Sequence, residues 1–122
     1  MTVEKLIERA KTLGLPIAKN SFAGTLDNPV PSLPYLVYLI SHEKVRGPDG
    51  INMLKEQELS IELYTADDDR EREELAERIE TEILHDVEYD TYLAPIPQEE
   101  CYQTSYEVRG LIKKIERKNK DE

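Results

Sequence analysis

The chain has 122 residues and a net charge of -10, with 39% hydrophobic against 34% charged residues, enough apolar side chains for one core and too short a chain for two. That acidity argues against gripping nucleic acid, which takes clustered lysine and arginine, and no apolar run nears the roughly 20 residues that cross a bilayer. A lone cysteine, Cys101, leaves no internal disulfide and no cysteine partner for a metal knuckle.

In chain order, Thr2 to Leu13 places Val3, Leu6, Ile7, Ala10 and Leu13 at helical spacing, which predicts an amphipathic helix ended by Gly14. A short extended stretch is expected around Ile17. Residues 20 to 34 are rich in Asn, Gly, Asp, Ser and Pro and predict a loop. Tyr35 to Ile40 is an unbroken apolar run of strand length, expected as the central strand and covered on both faces. Lys44 to Gly50, with Pro48, is expected as a charged turn or loop.

From Glu58 to Thr65, Leu59, Ile61 and Leu63 alternate with Ser60, Glu62 and Tyr64. This is the period-two pattern of a half-buried strand, expected to pair with the preceding one as a hairpin. Asp67 and Asp68 are good helix N-caps, and Asp69, Glu71, Glu73 and Glu74 favour the positive end of a helix dipole. The buried stripe of that helix reads Leu75, Ile79 and Ile83, flanked by Ala76 and Leu84. Val87 to Leu93 is a further extended candidate, punctuated by Pro95 and Pro97. Tyr102, Thr104, Tyr106 and Val108 alternate with polar residues as a last strand. The expected class is α+β, a mostly antiparallel sheet of about four to five strands packed against two helices. Residues 1–110 form the domain and 111–122 a basic, flexible tail that extends the strand, turns helical or frays.

No constellation calls for catalysis. The Asp67, Asp68, Asp69 run lacks the glycine turn and distal glutamate of a calcium loop and reads as helix capping. His42 and His85 stand far apart in the sequence and read as surface or helix-end residues. Cys101 follows Glu99 and Glu100, carboxylates that disfavour a reactive thiolate, so it reads as a small strand residue. No glycine-rich phosphate loop is present. The expectation is a protein that is not an enzyme and uses no cofactor and no metal.

Charge is segregated along the chain. Residues 67–90 hold twelve Asp/Glu against three Lys/Arg, whereas residues 91–122 hold six of each. The acidic face of the second helix is a solvated surface, a dock for a basic partner, or a repellent for DNA passing a channel wall. Seven tyrosines against one phenylalanine and no tryptophan suit either a core or an interface.

Several strings occur in a telling order: "PSLPYLVYL" (Pro31 to Leu39), "LSIELYT" (Leu59 to Thr65), the acidic helix, "EYDTYL" (Glu88 to Leu93) and "EECYQTSYEV" (Glu99 to Val108). Together they resemble a family of small tail-terminator, or tail-completion, proteins of siphoviruses and prophages of Gram-positive bacteria, over about residues 20 to 109. The loop from Glu43 to Glu56 and the extension after Val108 depart from that pattern. The resemblance implies a structural virion protein that caps the tail tube and joins it to the head connector, commonly as a homo-hexameric ring. The implied partners are other copies, the major tail-tube protein and a head-completion protein, with no sequence-specific nucleic acid and no membrane. The implied place is the host cytoplasm during assembly, then the head-proximal end of the virion tail. The residues expected to carry contacts are Lys44, Arg46, Glu71, Glu74, Glu77, Lys113, Lys114, Arg117 and Lys118, with acidic and basic patches pairing around a heterologous interface. The reading kept beside it is an acidic intracellular adaptor or inhibitor that docks on a basic protein.

Overall fold

The computed structural model describes residues 1–24, 26, 29–47 and 52–116. Its elements run α1 (Val3–Lys11), β1 (Ile17–Lys19), β2 (Tyr35–Arg46), β3 (Asn52–Ala66), α2 (Asp69–Arg78), a π turn (Ile79–Ile83), β4 (Tyr89–Ile96), a 3-10 turn (Pro97–Glu99) and β5 (Cys101–Glu116). The five strands form one sheet in the order β1-β2-β3-β5-β4. β1 lies parallel to β2, and the remaining pairs are antiparallel. The α+β class read from the residues is the fold observed.

α1 starts where Thr2 accepts a hydrogen bond from the Lys5 backbone N–H, satisfying one of the unpaired donors of a first turn. It closes at Gly14, whose φ of +78° suits a residue without a Cβ. Val3, Leu6, Ile7 and Ala10 face inward. α2 is capped by Asp68, which accepts from the N–H groups of Arg70 and Glu71. Its apolar stripe deepens toward the C-terminus: Leu75 and Ala76 are half-buried, and Ile79, Ile83 and Leu84 are buried. The widened π turn, with Leu84 N–H donating to Ile79 O at 3.0 Å, rotates these last residues onto the core.

Alternation in the strands divides the sheet's two faces. Leu36, Leu59, Ile61, Leu63, Tyr106 and Val108 join the residues of α1 and the π turn in one buried cluster. Tyr35, Val37, Ser60, Glu62, Tyr64, Cys101, Gln103 and Glu107 occupy the opposite face.

Three expectations need correction. The central strand is β3, not the Tyr35 to Ile40 segment, because β5 pairs with β3 along its whole length while β2 gains only three-residue β1 on its other side. Lys44 to Arg46 belong to β2, and residues 48–50 of that expected turn lie outside the described residues. Pro95 lies within β4, where an edge strand tolerates the missing N–H. Of the alternatives for the segment from residue 111, extension of the strand is the one observed, as far as Glu116, with Leu111 buried and paired with Gln57.

Candidate interaction site

β2, β3 and β5 run on past the helix-covered core into a three-stranded arm. The passage is marked by bulges, at Ser41 between the pairs Ile40↔Leu59 and His42↔Glu58, and at Arg109 and Gly110 opposite Glu58. Gly110 adopts φ +72°, the left-handed conformation that such a bulge asks of its glycine. In the arm, Lys44 pairs across Glu56 to Ile112, and Arg46 across Leu54 to Lys114. Tertiary pairing thus brings the strand positions of Lys44, Arg46, Lys113 and Lys114 into one arm, although they are nearly 70 residues apart in sequence, with Lys44 and Lys114 on one face and Lys113 on the other. Lys55 Nζ reaches Glu43 Oε2 at 3.1 Å within the arm, holding the Glu43 carboxyl below its usual range.

The acidic residues lie elsewhere. Glu74 and Glu77 are exposed on α2 and Glu71 is half-buried there, beside the end of β3 remote from the arm. Among the described residues no ion pair joins the arm to α2. Arg117 and Lys118 lie outside the described residues. His42 and His85 are both exposed.

β4 forms the far edge of the sheet. Six of its eight residues are exposed, and among them Tyr92 at 58% and Leu93 at 48% are large and apolar. Val45, Leu54 and Ile112 are exposed in the arm, so five of the eight exposed large hydrophobic residues among the described residues fall on these two regions. Such concentration marks association surfaces better than scattered single residues do. Periodicity could not find them: the same alternation that predicts β4 and β5 is silent on which strand ends the sheet.

The face opposite the helices carries a satisfied polar network. Gln103 Nε2 donates to Glu62 Oε2 at 2.7 Å, and Ser60 Oγ to Glu107 Oε1 at 2.9 Å. Tyr35 stacks on Tyr64 with centroids 5.1 Å apart, and Phe22 meets Tyr35 edge-on. Burial beside Glu62 pushes the Tyr64 hydroxyl up to about 12, so it is a hydrogen-bond donor at neutral pH. Cys101 is buried, and burial with nearby Glu99 and Asp67 raises its thiol pKa, which disfavours the nucleophilic thiolate. Among the described residues, no group of three or more His, Cys, Asp or Glu is arranged to hold a metal ion, and no helix is long and apolar enough to cross a membrane.

One ion pair fastens α1 to the segment that follows the π turn. Arg9 grips Asp86 through Nη1 to Oδ1 at 2.7 Å and Nη2 to Oδ2 at 3.0 Å, and also donates to Ile83 O at 2.9 Å. The hydrogen bonds from Arg9 hold the Asp86 carboxyl down at about 2, below its ordinary 3.8. A carboxylate with a depressed folded pKa contributes stability above its unfolded pKa and loses it as pH falls through the folded value. Wild-type protein should therefore lose this contribution between about pH 4 and pH 2. Arg9→Met should lack it, so urea midpoints of the two proteins should converge over that window. Parallel curves would show that the pair adds nothing.

Fold and site together define a small α+β protein with a sheet arm carrying Lys44, Lys113 and Lys114 and an acidic helix, α2, at the other end of β3. Comparison with known proteins finds no matching family model, no matching curated protein and no matching solved structure.

Proposed function

We propose that this chain is a structural assembly protein, a tail terminator that caps a phage tail tube and joins it to the head connector as a ring of identical subunits. The observation that carries the reading is the separation of charged, apolar surface into a basic arm and an acidic region around α2 and β4. A protein that contacts copies of itself head to tail needs two different, complementary surfaces. The strings behind the family resemblance are also the strings that build this frame. "PSLPYLVYL" leads into β2, "LSIELYT" lies in β3, "EYDTYL" enters β4 and "EECYQTSYEV" spans the turn into β5.

The test is electron microscopy of the protein mixed with a tail-tube protein encoded beside it. Short tubes ending in rings are the expected result. Tubes of unchanged length with no terminal density would reject the reading. The exposed acid of α2, Glu73, Glu74 and Glu77, favours a second reading, an adaptor or inhibitor of a basic protein. That protein would form small complexes of fixed stoichiometry with its partner and leave tubes untouched.

A further inference from the structure

We propose that copies of this chain join by strand addition, the outer edge of β4 in one copy pairing antiparallel with the outer edge of the β2 arm, His42–Arg46, in the next. The inference rests on the ring reading and names its interface.

Both edges are open in the described structure. β4 pairs with β5 on one side only. β1 covers β2 at Leu36, Val37 and Tyr38, which leaves the arm half of β2 without a neighbour on that side. Exposed edges with unpaired backbone groups are templates for another strand, and proteins that avoid pairing protect them with lysine, proline or a bulge. Between Tyr89 and Ala94, β4 carries no lysine, no proline and no bulge; the β2 arm carries Lys44 beyond the Ser41 bulge, a charge that an acidic neighbouring strand offsets.

Direction favours a head-to-tail repeat. Across the sheet from β2 the strands alternate in direction, so β4 runs opposite to β2. A neighbour in the same orientation therefore presents its β2 antiparallel to β4. No subunit has to be turned over, and the helix-covered faces stay on the same side. Such a contact is heterologous, the kind that closes rings.

Register and charge agree with this. Setting Asp90 opposite Lys44 in an antiparallel pair also sets Tyr89 opposite Val45 and Tyr92 opposite His42. An opposite-charge pair and an aromatic with a β-branched residue are favourable cross-strand combinations. The faces match as well. Asp90 pairs with Glu107 on the face away from the helices, and Lys44 shares that face with Ile112. The Ser41 bulge and the neighbour's β1 bound the paired stretch above His42, just below the level of Pro95.

The test is oxidative cross-linking of the full chain carrying Lys44→Cys and Asp90→Cys, both exposed positions, with Cys101→Ser to leave a single reactive pair. Expected is a ladder of disulfide-linked trimers and larger species. Monomers alone, or dimers alone as a two-fold β4 contact would give, overturn the proposal. Hydrogen exchange on the unaltered protein gives a readout independent of the variants. Amides of 88–92 and 42–46 should become protected as concentration rises, and unchanged exchange there counts against the interface. A missing ladder with tubes still capped rejects this interface and leaves the terminator reading standing. A ladder without capped tubes does the reverse.

Discussion

Replacing Ile61 with alanine is expected to cost about 3 to 4 kcal/mol of folding free energy, within the range for truncating a buried isoleucine. Ile61 is fully enclosed at the middle of β3, between Tyr38 on β2 and Tyr106 on β5. Neighbours on both sides are held in register by the strand ladder, so the sheet cannot close over the missing methyls, and the cavity adds to the lost transfer energy. Domains of this size are stable by roughly 5–15 kcal/mol, so the variant should fold with a much lower urea midpoint and an unchanged denaturant slope. Leu93→Ala, at an exposed edge position, should cost less than about 0.5 kcal/mol. Equal midpoints for the two variants would refute the packing described here.

Leu6→Asp should do more damage than the alanine change, because it places a carboxylate with no partner in the seat of α1. Leu6 is fully enclosed, and α1 is held by Val3, Leu6, Ile7 and Ala10 together with the Arg9 grip on Asp86. Leu6→Ala is expected to cost about 2–5 kcal/mol. The aspartate adds the expense of burying a charge, which drives its folded pKa above the unfolded one. The excess over alanine should therefore be largest at neutral pH, shrink as pH falls through the raised folded pKa, and reach its floor below about 4, where the aspartate is protonated in both states. Trypsin cleavage after Lys11 at neutral pH is the direct readout. Resistance equal to that of Leu6→Ala would show that α1 does not seal the core.

The parts legible from the residues are those governed by neighbours along the chain. Spacing of Val3, Leu6, Ile7 and Ala10 located α1. Alternation of Leu59, Ile61 and Leu63 located β3, and the aspartates before Arg70 located the start of α2, with Asp68 making the cap. The extent of the strands was less legible. Lys44 to Arg46 and Leu111 to Glu116 look like loop and tail because their charges break any apolar pattern, yet each is held by pairing with the Asn52–Gln57 stretch of β3. Backbone hydrogen bonds between strands do not depend on side-chain polarity, so an arm of alternating charge is invisible to hydropathy.

By itself, then, the sequence determined the elements of the core, the α+β class and the lopsided charge of residues 67–90, since each depends on local spacing or on composition. Tertiary structure alone decided that β3 is central and β4 an edge, that four basic residues from two distant segments share one arm, and that this arm and α2's acid lie at opposite ends of β3. Those outcomes follow from pairings between strands remote in sequence, and such pairings are selected by the packing of the whole core, not by the residues on either strand alone.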